Sequence, residues 1–373
     1  MKILVTGGAG FIGSNVVDAL VKDGHEVAVL DNLSTGKEEN INPEVKFYNI
    51  DLLDIESLEF AFREFKPDVV NHHAAQIDVR KSVEDPAFDA ETNVIGSINI
   101  FELSINYGVR RIIFASTGGA LYGEPEKLPA TEDTPIEPLS PYGVAKYCAE
   151  NYLNYFKRLY ELRDRHASLR SAHDDGGERI SEHRDRHASL RSAHDDGGER
   201  ISEHQDRHAS LRSAHDDKEE RSVGIERVIL RYANVYGPRQ DPLGEAGVVA
   251  IFAGKILKGE KPVIFGDGNQ TRDYIYVEDV VKANVLALEG KEGIYNIGTG
   301  RETSVNELIE IFSKVLGREI KPEYAPPRIG EVHRISLDGE KAKKELSFVP
   351  KYSLPEGILK TIEWYKNQSL HTK

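Results

Sequence analysis

A single cysteine, Cys148, stands in a chain of 373 residues. No disulfide can close within the chain, and no cysteine-based zinc site can form. Long apolar runs are also missing. Met1-Lys2 leads directly into Ile3-Leu4-Val5, too short for the apolar core of a secretion signal. No stretch approaches the roughly 20 apolar residues of a membrane-spanning helix. A cytoplasmic protein with no membrane partner is therefore expected. Positive charge is scarce too: 48 Lys and Arg against 62 Asp and Glu leave a net charge of -14. No nucleic-acid partner is expected, because such a surface needs a basic stripe. A phosphorylated small molecule is not excluded, since backbone N–H groups and a few local arginines can hold one. What remains is an ordinary globular composition, 39% hydrophobic and 29% charged, in a chain long enough for two domains.

One segment does not belong to that pattern. Asp164-Arg165-His166-Ala167-Ser168-Leu169-Arg170-Ser171-Ala172-His173-Asp174-Asp175 recurs almost unchanged from Asp185 and again from Asp206, a period of 21 residues. Each copy has little apolar area, and Gly176-Gly177 and Gly197-Gly198 interrupt any continuous helix. Stacked repeats need a hydrophobic face, so this array is expected to be solvated, as short helices or as a flexible segment. Eight of the thirteen histidines lie in it; His166 and His173 are seven apart, where metal-ligand motifs place ligands three to five apart, and nothing fixes a geometry, so no metal site is expected. The flanks join sensibly without it: a helix over residues 142–160 on one side, and a turn leading to Val228-Ile229-Leu230 on the other.

The N-terminal residues carry a recognisable pattern. Lys2-Ile3-Leu4-Val5-Thr6 reads as a strand and Gly7-Gly8-Ala9-Gly10-Phe11-Ile12-Gly13 as a glycine turn, followed by a helix bearing Val16, Val17, Leu20 and Val21. Gly7, Gly10 and Gly13 let backbone approach a pyrophosphate, while the helix start supplies N–H donors and a positive dipole end. A second strand, residues 26–30, ends in Asp31, placed to accept from the adenosine ribose hydroxyls and to repel a 2′-phosphate. NAD is therefore expected rather than NADP. Asp51 and Leu52, at the end of a third strand, could border the adenine. Strand–helix alternation continues through Val69-Val70-Asn71-His72-His73 and Arg111-Ile112-Ile113-Phe114-Ala115-Ser116. The expected fold class is α/β: a doubly wound parallel Rossmann sheet, a smaller C-terminal substrate-binding α/β domain and the polar repeat insertion.

Tyr142-Gly143-Val144-Ala145-Lys146 places Tyr and Lys at i and i+4, on one helix face. An ammonium beside a phenol, aided by an oxidised nicotinamide, is expected to lower the phenol pKa and make Tyr142 a usable acid/base.

Several motifs together resemble those of the extended short-chain dehydrogenases/reductases, and among them the 4-epimerases of UDP-hexoses. They are the glycine turn from Thr6 to Gly13, His73-Ala74-Ala75, Asn93-Val94-Ile95-Gly96, Ser116-Thr117-Gly118-Gly119-Ala120-Leu121-Tyr122-Gly123, Ser140-Pro141-Tyr142-Gly143-Val144-Ala145-Lys146, Arg231-Tyr232-Ala233-Asn234-Val235-Tyr236-Gly237-Pro238 and Arg272-Asp273-Tyr274-Ile275-Tyr276-Val277. The resemblance covers essentially everything except the repeats. It implies Tyr142 as acid/base and Lys146 as its electrostatic partner and ribose ligand. It adds Phe11, Ile12, Asn32, Ala74, Ala75, Asn93 and Tyr232 to the cofactor site. Thr117, Tyr142, Asn234, Arg272, Arg328 and Glu331 would meet the UDP-sugar substrate. The implied reaction inverts C4 through a 4-keto sugar, with UDP-glucose and UDP-galactose as the first-choice pair and UDP-glucuronate or UDP-N-acetylhexosamines as alternatives.

One position departs from many relatives. Gly118 stands where they carry a catalytic hydroxyl, so Thr117, or else Ser116, must supply it. The related 4,6-dehydratases place an Asp-Glu pair where Gly118 and Gly119 stand, which disfavours dehydration. A catalytically silent NAD-sensing protein is disfavoured by intact Tyr142 and Lys146. The dinucleotide domain is expected over residues 1–162 and 221–236, the insertion over 163–220 and the nucleotide-sugar domain over 237–373, in a homodimer.

Overall fold

A computed structural model of the chain describes residues 1–174, 225–242, 247–327 and 332–371. The strands are β1 (Lys2–Thr6), β2 (Glu26–Asp31), β3 (Lys46–Asn49), β4 (Val69–His72), β5 (Arg111–Thr117), β6 (Glu226–Tyr232), β7 (Asn234–Tyr236), β8 (Val263–Phe265), β9 (Thr271–Arg272), β10 (Tyr274–Tyr276), β11 (Gly293–Ile297), β12 (Thr303–Ser304) and β13 (Glu323–Ala325). The helices are α1 (Phe11–Lys22), α2 (Ile55–Phe65), α3 (Val79–Glu84), α4 (Pro86–Ala90), α5 (Gly96–Asn106), α6 (Gly118–Leu121), α7 (Pro141–Asp174), α8 (Val248–Leu257), α9 (Val277–Ala287), α10 (Val305–Leu316), α11 (Glu340–Leu346) and α12 (Leu354–His371).

Seven strands form one sheet in the order β11-β6-β5-β4-β1-β2-β3, every pair parallel. A parallel sheet is covered by crossover helices on both faces, so its strands are apolar throughout rather than alternating. Ile3, Leu4 and Val5 of β1, and Val69 and Val70 of β4, are accordingly fully buried. From β1 the chain winds outward to β3, then crosses back to β4 and winds the other way. That reversal opens a crevice at the carboxyl ends of β1 and β4, where doubly wound folds bind ligands.

Local signals explain the element ends. Asp54 caps α2 by accepting from Ser57 N–H at 3.2 Å. Ser304 and Glu307 form a reciprocal capping box on α10. Ser140 Oγ accepts from Gly143 N–H at 3.2 Å, and Pro141 opens α7.

Two features differ from expectation. The strand Gly293–Ile297, read from sequence with the C-terminal lobe, pairs with β6 and extends the main sheet as β11. The cause is α9, which returns the chain alongside β6 as an ordinary crossover. The helix expected over 142–160 continues to Asp174, because no Gly or Pro intervenes before Gly176. The later repeats lie outside the described residues.

Compactness divides the chain into residues 1–156 with 225–373, and residues 157–224. Within the first unit, one apolar cluster is centred on the sheet and α1, including Val5, Val17, Ile113, Leu230 and Leu337. A second joins Tyr236, Phe252, Tyr276, Phe312 and Ile362 in the C-terminal half. Among the described residues no helix is long and apolar enough to cross a membrane.

Candidate active site

The glycine turn closes the crevice from one side. Gly7 adopts φ +70°, a left-handed conformation, and a Cβ there would lie 2.6 Å from Ala74 N. A Cβ on Gly13 would lie 2.2 Å from Gly7 O. β1, the start of α1 and the chain leaving β4 therefore meet backbone to backbone. No side chain caps α1 at Gly10, so its first-turn N–H groups face the crevice mouth as anion donors. Asp31 is 7% exposed at the end of β2; it accepts from Ala9 N–H at 3.0 Å and Leu33 N–H at 2.8 Å. Burial raises its pKa, and those two bonds oppose the rise. Asn32 donates to Asp51 at 2.7 Å, which joins the ends of β2 and β3. Leu52 lies under Gly96, where a Cβ would approach to 2.8 Å. A glycine cradle, a helix start and a carboxylate at the second strand end are what a dinucleotide's pyrophosphate and ribose require, and these residues fit NAD.

A neutral histidine ties the crevice together. Ala74 N–H donates to Thr6 Oγ1 (3.2 Å), and the Thr6 hydroxyl contacts His72 Nδ1 (2.6 Å). His72 Nε2 reaches Ser97 Oγ at 3.0 Å, and that hydroxyl donates to Asn93 O at 2.7 Å. Because the Ser97 proton is committed to Asn93, His72 must donate from Nε2 and accept at Nδ1. Burial, with Lys146 and His73 adding to it, lowers the His72 pKa well below normal and keeps it uncharged. His73 stacks on Tyr232, 6.2 Å between centroids, and burial holds its pKa at about 4. In the sequence His72 stood out only as part of a strand end, and His73 only as the first residue of a family motif.

The Tyr–Lys helix meets the crevice at its N-terminal end. A Cβ on Gly143 would lie 2.6 Å from Ala120 O, so α7 begins hard against α6 and the end of β5. Lys146 is 4% exposed, its Nζ 4.7 Å from the Phe114 ring centroid. Burial lowers its pKa to about 8, against the opposing pull of Glu150 and Asp89. Tyr142 is pulled the other way by the chain's own groups. Burial pushes its phenol well up, and Asp89 adds to the rise. The chain's own groups thus hold Tyr142 protonated; the sequence shows the neighbouring lysine but not the desolvation that outweighs it.

The two candidate hydroxyls separate cleanly. Ser116 Oγ donates to Glu150 Oε1 at 2.5 Å in the interior. Glu150 is gripped by Arg231 through two bonds of 3.0 and 2.6 Å. Thr117 points to the other face of β5. Its hydroxyl lies 3.9 Å from where a Gly119 Cβ would stand, and Asn234 Oδ1 lies 3.4 Å from the same point. Gly118 cannot gain a side chain without displacing fully buried Leu337, 2.4 Å from its virtual Cβ. A hydroxyl or a dehydratase carboxylate there would require Leu337 to move. Thr117→Val is expected to lower turnover about 10²-fold or more with little change in unfolding midpoint, whereas Ser116→Ala should mainly lower the midpoint. Steady-state assays and thermal melts on both variants decide between them.

Other expected residues take varied places. Asn93 donates to Gln76 O and Asp89 Oδ1, both at 2.9 Å, and accepts from Gln76 N–H at 2.9 Å. Its amide thus holds the segment after β4 together. Tyr232 OH accepts from Asn284 at 2.8 Å. Asn234 Oδ1 is buried with no partner among the described residues, as a group waiting for a ligand would be. Arg272 donates to Thr271 O at 2.8 Å. Next to it, Asp273 accepts from Thr299, Gly300 and Leu337 N–H groups and locks the segment. Arg328 and Glu331 lie outside the described residues. Among the described residues there is no cluster of three or more potential metal ligands.

A Rossmann sheet with a glycine-cradled crevice, and a half-buried Tyr142 one helical turn before a buried Lys146, defines a dinucleotide-dependent enzyme. Its family is fixed by comparison. The model of the NAD dependent epimerase/dehydratase family matches residues 3–173 and 216–298, and the chain belongs to that family. The UDP-glucose 4-epimerase of Mycolicibacterium smegmatis is 39% identical, over 99% of this chain and 100% of its own length. The crystal structure of Thermotoga maritima UDP-glucose 4-epimerase with UDP-glucose aligns at TM-score 0.80 and 43% identity, over 99% of this chain and 100% of that one. Thermus thermophilus UDP-glucose 4-epimerase in complex with NAD aligns at TM-score 0.77 and 40% identity, over 98% and 99%.

Proposed function

We propose that the chain is an isomerase that interconverts UDP-glucose and UDP-galactose at C4, using bound NAD. What carries this reading is the Tyr142–Lys146 face of α7, half-buried at the tyrosine and buried at the lysine, in a chain matched end to end by 4-epimerases. NAD, when bound, supplies a reversible hydride acceptor, which permits a 4-keto sugar and leaves no net redox change. Gly7, Gly10, Gly13 and the first turn of α1 would hold its pyrophosphate, and Asp31 its adenosine ribose.

Tyr142 acts as the phenolate: it takes the C4 hydroxyl proton as hydride leaves, becoming the phenol, and gives the proton back on return. Lys146 stabilises the phenolate that must stand before the first transfer and is regenerated after the second. Thr117 orients the hydroxyl. Asn234 and Arg272 grip the diphosphate, the one part of the substrate that keeps its place while the sugar turns over. Binding energy concentrated on the nucleotide raises C4 exchange without favouring either epimer. Because hydride returns to the same substrate, purified protein should convert UDP-galactose to UDP-glucose with no added NAD. Parallel incubations with UDP-glucuronate and UDP-N-acetylgalactosamine set the preference. Failure to consume any of the three would remove the reading.

We infer further that the protein works as a homodimer through α7. Val144, Tyr152 and Tyr155 are 47%, 42% and 55% exposed, an apolar strip that a second copy would cover. Sedimentation should give twice the 41.7 kDa chain mass, and Tyr152→Glu with Tyr155→Glu should return the monomer. Domain boundaries at 162, 220 and 236 remain our reading of the chain, with β11 returning to the dinucleotide sheet beyond the last of them.

A further inference from the structure

Lys146 is one of a line of three. Tyr142, Lys146 and Glu150 follow at intervals of four along α7 and share a face. Glu150 is 1% exposed and cannot wander: Arg231 holds both its oxygens and Ser116 donates to one of them. Arg231 is fixed in turn by Tyr122 OH, 2.9 Å from its Nη1, and Tyr122 donates to Asn296 at 2.8 Å. β5, β6, β11 and α7 therefore fix the position of one carboxylate.

A second carboxylate approaches from α4. Asp89 is 1% exposed. Its Oδ1 accepts from Gln76 at 2.8 Å and Asn93 at 2.9 Å, while Oδ2 has no partner among the described residues. Glu150 stands one turn after Lys146 on α7, and the charges of both carboxylates oppose the burial that lowers the Lys146 pKa. The other polar groups around that amine are His72 and His73 at the end of β4, both held neutral, and Tyr142 one turn earlier. The Phe114 ring covers one side.

We propose that Glu150, on α7, and Asp89, on α4, are positioning residues that clamp Lys146 as an ammonium and so set the pH window of the Tyr142 step. The proposal rests on the reading above that Tyr142 and Lys146 do the chemistry. Burial alone favours the neutral amine, which could neither stabilise a phenolate nor hold a ribose by charge. The clamp opposes that loss without touching substrate. Its sign is definite. Removing either negative charge lowers the Lys146 pKa, so the basic limb of turnover moves to lower pH. Removing Asp89 also lowers the Tyr142 pKa, so the acidic limb moves the same way.

The test is a titration of Lys146 in the full-length protein carrying 13C-labelled lysine. The Cε signal is assigned by its disappearance in Lys146→Arg, and turnover is measured across the same pH range. The parent should titrate near the value of about 8 set by its surroundings. Glu150→Gln should lower that midpoint by about one unit or more, and the basic limb of kcat should follow. Asp89→Asn keeps both hydrogen bonds at Oδ1 and changes only charge, so it decides the matter should Glu150→Gln fail to fold. A smaller shift in the same direction, with the whole profile moved to lower pH, is expected of it. An unmoved Lys146 midpoint in Asp89→Asn and in any folded Glu150→Gln overturns the clamp, even in an active parent. An inactive parent would overturn the epimerase reading and leave the titration readable.

Discussion

Tyr142→Phe is expected to slow UDP-galactose conversion by about 10²–10⁴-fold while the protein stays folded and keeps its dinucleotide. The reasoning begins with one oxygen. Phenylalanine fills the same space, so burial around the ring is unchanged. The backbone tie from Tyr142 N–H to Ser82 Oγ, at 3.2 Å, does not involve the ring. Only the proton carrier is lost. Desolvation and Asp89 raise the phenol pKa, so Tyr142 is protonated at neutral pH and must be drawn toward phenolate by positive charge on its other side. Lys146 can supply that charge below about pH 8, where it is an ammonium, and loses it as the pH rises through that value. The parent should therefore lose activity on the alkaline side, and Tyr142→Phe should show only a flat residual rate. Dinucleotide released on denaturation, measured in both proteins, separates a lost proton carrier from a lost cofactor. A variant as fast as the parent would remove Tyr142 from the mechanism.

The parts of this site legible in sequence are those built by neighbours in the chain. The glycine turn, Asp31 at a strand end and the Tyr142–Lys146 interval are local spacings, and the geometry that follows from them is set by helix and strand periods. Gly118 was legible as a departure, but its reason was not. Leu337 lies more than two hundred residues away and only the fold brings it within 2.4 Å of the virtual Cβ. Choosing between Ser116 and Thr117 likewise needed Glu150, which accepts one hydroxyl and thereby leaves the other to the cleft. Glu150 itself sat in plain view, four residues after Lys146. Nothing local marks a glutamate on a helix as buried rather than solvated, and its partner Arg231 lies 81 residues on, beyond the repeats. The upward pull of desolvation on Tyr142 was hidden for the same reason: charge can be read from sequence, but desolvation requires the fold.

That buried pair carries the second large effect, and it falls on stability. Arg231 and Glu150 are 4% and 1% exposed, with bonds of 3.0 and 2.6 Å. Arg231→Met should destabilise the protein by about 3–5 kcal/mol, because it strands a carboxylate in the interior. The loss appears as a lower urea midpoint at nearly constant slope, measured at equal NAD saturation because bound ligand shifts the transition. Pairing it with Glu150→Gln removes the stranded charge, and the double variant should recover most of the loss despite having fewer polar contacts than the parent. Recovery should remain incomplete. Tyr122 still donates to Asn296 but loses the guanidinium that donated to it. A double variant no more stable than Arg231→Met would mean that Arg231 matters through packing rather than charge. The recovered protein is also informative about function. It would hold α7 in place without a carboxylate beside Lys146, so a normal fold with an acid-shifted lysine would separate the pair's mechanical role from its electrostatic one.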